Sequence, residues 1–160
     1  MYKLILFTLL AGFLMVLHAL QADEEISMHT LFHAKHSLNR AVHASAQQAD
    51  SAKLARGIVS IDPGEARATA LRYLQANMRL DESNTPLPDT FLRAKVDLLA
   101  FEVINEDHVF PYRYSNPAYS YSVELKRPAV VMIIRLEYPR TYPVLGPIVW
   151  EIKGSSELVF

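Results

Sequence analysis

Residues Leu4 to Leu20 form an uninterrupted apolar run, preceded by Met1-Tyr2-Lys3 and followed by Gln21-Ala22-Asp23-Glu24-Glu25. The run has no polar face, so it does not suit a helix half-exposed on a soluble domain. As a helix rising ~1.5 Å per residue it spans roughly 25 Å, close to a hydrocarbon core of about 30 Å. One positive charge before it and three negative charges after it orient the segment with its N-terminus in the cytoplasm. A signal peptidase needs small residues at two positions before the cut. A cut after Ala22 puts Leu20 in one of them, and a cut after Ala19 puts Leu17 there. Residues 1–22 are therefore expected to remain as a membrane anchor or uncleaved signal segment. Residues 23–160 then form a single extracytoplasmic domain of a single-pass cell-membrane protein.

The remainder is the size of one ordinary domain and can bury a real core. The formal net charge is −1 and basic residues are scattered, which leaves no electrostatic footprint for nucleic acid. The absence of cysteine excludes disulfides, thiolate metal sites and attachment through a lipidated cysteine.

From Ile26 to Arg56 there is neither proline nor glycine and alanine is abundant, which favours helix. Met28, Leu31, Leu38, Val42, Ala46, Ala49 and Ala52 fall on one side of that helix, with Phe32 at the margin. His29, His33, His36, Arg40, His43 and Gln47 fall on the other. Nothing between Leu20 and Ile26 breaks a helix, so one helix is predicted from the membrane to Arg56, stopped by Gly57. Asp62 as cap, Pro63 at the first helical position and Glu65 three residues after the cap announce a second helix over 63–80.

Eight of the nine prolines lie from Pro86 onward, and the composition turns to strands and turns. Strands are expected from about residue 94. Val96 to Ile104 is rich in large apolar residues. Tyr119 to Lys126 alternates as a half-buried strand does, and Ala129 to Tyr138 is more fully apolar. Ile148, Trp150 and Ile152 alternate again, and Glu157 to Phe160 is a further candidate. Helices first and strands afterwards predict an α+β fold, with a four- or five-stranded antiparallel sheet packed on the long helix.

His29, His33 and His36 project from one helical face at spacings that suit a shared zinc or copper ion. The sequence nominates no fourth ligand, and the face continues with Arg40 and Gln47 as a solvated face does; no metal or other cofactor is expected. Glu102, Glu106 and Asp107 offer carboxylates for acid–base chemistry, and Asp107-His108 a fragment of a triad. There is no Gly-x-Ser-x-Gly, His-Glu-x-x-His or glycine-rich phosphate loop. A non-enzymatic role is therefore expected. The segments Phe110-Pro111-Tyr112-Arg113-Tyr114 and Tyr138-Pro139-Arg140-Thr141-Tyr142-Pro143 read as aromatic loops. Tyr112, Arg113, Tyr114 and Tyr142 form a candidate binding surface, because tyrosine and arginine give large contact area with polar tips; cross-strand tyrosine packing is the alternative.

A short cytoplasmic stub, a single-span helix, an alanine-rich continuation from Leu38 to Asp50 and a strand-rich head resemble the type IV pilin-like plan. The nearest likeness is to minor pilins or pseudopilins of Tad-type (tight adherence) systems, and it covers roughly the first eighty residues, including Tyr73-Leu74-Gln75-Ala76-Asn77. Two family marks have no counterpart: the only glycine of the run, Gly12, lies in its middle, and no acidic residue occurs between Met1 and Ala22. The resemblance implies a surface protein acting in assembly of a pilus or secretion system, with the membrane and other pilin-like or secretion-system proteins as partners. The rival expectation is an anchored ligand-binding or sensing domain that uses the tyrosine-rich loops.

Overall fold

The computed structural model describes residues 2–90, 92–140 and 146–159. Its dominant element is α1, Tyr2–Ala46, a single helix of 45 residues. The apolar window in its first half has none of its residues buried within the protein. Leu6 and Phe7, for example, are 67% and 71% exposed. By length and composition α1 can cross a membrane.

Beyond the apolar run the same helix is built into the head. Asp23, Ser27, Ala34, Ser37, Leu38, Ala41, Val42, Ser45 and Ala46 are buried, at the three- and four-residue spacing of one helical face. The stripe is rotated from the expected one: Met28 is 44% exposed, while three serines lie inside. The serines are tolerated because their hydroxyls find carbonyls. Ser27 Oγ donates to Glu24 O at 2.7 Å, Ser37 Oγ to His33 O at 2.9 Å and Ser45 Oγ to Ala66 O at 2.8 Å. The expected polar side is exposed, with His29, His33, His36, Arg40 and His43 all facing solvent.

The helix does not continue to Arg56. It ends at Ala46, and a separate turn of helix, α2, covers Ser51–Leu54. Tertiary pairing draws the chain out of the helix here. Asp50 N donates to Ser60 O and Asp62 N to Gln48 O, so Ala49 forms an antiparallel bridge with Ile61. Asp50 then caps α2, accepting from the backbone N–H groups of Ala52 and Lys53. Gly57, at φ 77°, lies beyond α2 rather than beyond α1.

The next helix, α3, covers Pro63–Met78 and starts as expected, with the Asp62 side chain accepting from Gly64 N and Glu65 N. It stops two residues before the expected end because Arg79 adopts the left-handed conformation and its N–H returns to Gln75 O. Ala66, Ala70, Leu74 and Met78 give it a buried stripe.

Among the described residues five strands follow: β1 (Asp97–Ile104), β2 (Tyr112–Asn116), β3 (Tyr121–Leu125), β4 (Ala129–Tyr138) and β5 (Ile148–Glu157). They form two antiparallel sheets rather than one, a three-stranded sheet in the order β1-β4-β5 and a β2-β3 hairpin. Two assignments differ from expectation. Tyr112 to Asn116, read as loop, is a strand paired with Tyr121 to Leu125. The separate strand expected at Glu157 to Phe160 does not form: Glu157 is the last residue of β5, and Leu158 and Val159 belong to no strand; Phe160 lies outside the described residues.

β4 holds the layers together. Val130, Met132, Ile134 and Leu136 face the core shared with α1 and α3. Ala129 and Val131 pack with Ile104, Tyr114 and Leu125 on the opposite side, under the hairpin. A strand buried on both faces reads as a continuous apolar run, as this one does. β5 carries Gly154 directly against Leu38 of α1. Along the same strand Lys35 Nζ donates to Lys153 O, and Gln47 Nε2 donates to Glu157 O at 3.4 Å. These helix side chains cover polar backbone on an edge strand.

Candidate functional site: the junction of stalk and head

The apolar run gives way to the head at Asp23, three residues after Leu20. Asp23 is 2% exposed, and its Oδ1 accepts from Tyr138 Oη at 3.3 Å, across the end of β4. Arg140 follows two residues later, with Nη1 2.9 Å from Glu24 Oε1 and 3.9 Å from Asp23 Oδ2. A buried carboxylate is costly without a cation and hydrogen bonds, and Tyr138 and Arg140 supply both. The acidic residues that follow the apolar run thus fasten the head to the helix. Trp150 lies beside this junction, its ring centroid 6.3 Å from that of Tyr138.

On another side of α1 a groove of about 610 Å³ opens between α1, the end of α3 and Asp89, Thr90 and Leu92. Ile26, Ala34, Met78 and Leu92 give it apolar walls, while His29, His33, Asn77, Arg79, Asp89 and Thr90 supply polar groups. Its size is that of small-molecule pockets. Of the three candidate histidines, His29 and His33 reach this groove and His36 does not line it. Among the described residues no group of three His, Cys, Asp or Glu side chains is placed to hold a metal ion.

The aromatic candidates lie elsewhere, in the hairpin across β4 from α1. Tyr114 is buried, and its hydroxyl donates to Glu102 Oε1 at 2.6 Å. Burial, reinforced by Glu102, pushes the Tyr114 phenol up to about 12. Tyr112 is half-buried and meets the His108 ring edge-on, 4.4 Å between centroids. Arg113 is exposed between them. Tyr142 lies outside the described residues.

The carboxylates do not converge. Glu102 is held by Tyr114, Asp107 sits 3.1 Å from His108 Nδ1, and Glu106 pairs with Lys53 Nζ at 2.6 Å. The hydrogen bond from Lys53 is the main cause that draws the Glu106 carboxyl down to about 2. Lys35 moves the other way from an ordinary lysine, its pKa lowered by burial against β5.

Reading the sequence alone missed Tyr138 and Arg140 as partners of Asp23 and Glu24. The available signal was the concentration of acid just after the apolar run, matched by a later Tyr-Pro-Arg at a strand end. No family model matches the chain, and no curated protein or solved structure matches it.

Proposed function

We propose that this is a membrane-anchored, non-enzymatic surface protein of pilin-like design, acting through protein contacts in the assembly of a pilus or secretion system. The N-terminus lies in the cytoplasm and the head outside. The observation that supports this most is the division of labour along α1: its first half presents apolar side chains on every side, and its second half is part of the head's core. Such a helix can pack side by side with other spanning helices while transmitting their position directly to the head. The rival reading, a ligand-binding head using Tyr112, Arg113, Tyr114 and Tyr142, has less support because the Tyr114 hydroxyl already serves Glu102 inside the hairpin.

Exchanging residues 2–22 for an unrelated single-span helix separates the two readings. An assembly role through the helix predicts loss of crosslinks to other single-span proteins and loss of the pilus- or secretion-dependent phenotype, with the head still displayed. A binding role predicts that the exchanged protein works normally, and that alanine at Tyr112 and Tyr142 abolishes function instead.

A further inference from the structure

The end of the sheet at Tyr138 and Ile148 is fixed in height by α1. The helix is unbroken from Tyr2 to Ala46, so distances along it carry straight through the membrane boundary. Asp23 stands ~4.5 Å along the axis from Leu20. The headgroup layer on each side of a bilayer is roughly 5–7 Å thick. Tyr138 and Arg140, bonded to Asp23 and Glu24, are therefore held at headgroup depth.

The neighbouring residues have the chemistry of that layer. Ile148 is paired in register with Tyr138, Val149 is 44% exposed, and Trp150 packs against the Tyr138 ring. Tyrosine and tryptophan concentrate where an apolar body meets water and headgroups. Arg140 also offsets part of the negative charge that adjoins the apolar run.

The geometry points to a second membrane contact: the Tyr138–Arg140 and Ile148–Trp150 end of the sheet rests in the phospholipid headgroup region beside its own anchor. This rests on residues 4–20 spanning the membrane. The head is then held flush against the bilayer in one orientation, rather than swinging above it on a free stalk. The partner is the lipid interface itself.

Trp150 is the only tryptophan in the chain, so it reports on this contact without mutation. The full-length protein is placed in phosphatidylcholine–phosphatidylglycerol nanodiscs, with and without lipid brominated near the ester end of its acyl chains. The expected result is co-elution with the discs and strong quenching of Trp150 by the brominated lipid. Val149→Asp, at an exposed position, should co-elute equally and lose much of that quenching. Co-elution without bromolipid quenching overturns the proposal while leaving the anchor intact. Protein that elutes apart from the discs overturns the anchor and the contact together.

Discussion

Gly154 of β5 lies directly beneath Leu38 of α1: a Cβ on Gly154 would stand 3.1 Å from Leu38 Cγ. Helix and sheet are in close contact here, and both residues are buried. Overpacking there forces the helix away and is expected to cost about 1–3 kcal/mol for Gly154→Ala. Leu38→Ala leaves a cavity and should cost about 2–5 kcal/mol. The double variant should be more stable than the sum of the two losses implies, because the new methyl enters space that Leu38 vacated. Urea unfolding of the detergent-solubilised protein measures all three, and strict additivity would show that the two sites do not share that space.

Asn105 ties the end of β1 to the chain just before α3. It accepts from Ile61 N at 2.8 Å and donates to Ile61 O at 2.9 Å, and both residues are buried. Asn105→Leu keeps the volume and strands two backbone groups at about 1–3 kcal/mol each. A loss of stability of that order is expected in the same unfolding assay. A near-neutral result would mean that water replaces the amide.

The Lys53–Glu106 pair sets an acid limb. The Glu106 carboxyl is depressed from 4.5 to about 2 in the folded protein, so the pair's stabilisation is complete above pH 4.5 and is lost as pH falls toward 2. Because the groups are exposed, the effect is modest and screened by salt. Carboxyl NMR should give a Glu106 midpoint near 2 that rises toward the ordinary value in Lys53→Met. An unshifted midpoint in the parent protein would remove the pair from the account.

The histidine face is expected to be dispensable for folding. His29, His33 and His36 are exposed, so changing all three to glutamine should alter stability by no more than about 0.5 kcal/mol. Adding zinc should not raise the unfolding midpoint of the parent. A large early melt, or zinc stabilisation lost in the triple variant, would place the face in a metal site.

What the sequence made legible was whatever depends on local pattern. The apolar run, the Asp62-Pro63 helix start and the boundaries of β4 all follow from contiguous residues. The end of α1 was not legible, because Gln47 to Asp50 have ordinary helix propensity and leave the helix only to pair with Ser60 to Asp62. The rotated stripe was hidden for a similar reason: Ser27, Ser37 and Ser45 read as polar until their hydroxyl acceptors are known. β2 was masked by Pro111 and Pro117 at its flanks. The Asp23–Tyr138 contact joins residues far apart in the chain, which no periodicity reports.

The central claim is that residues 4–20 hold the protein in the membrane with its head outside. The most direct measurement is protease digestion of intact cells, followed by alkaline extraction of the membranes and N-terminal sequencing. The account predicts a membrane-retained chain that still begins at its original N-terminus and loses its head to external protease. Recovery of the head in the soluble fraction with Asp23 at its N-terminus would contradict it.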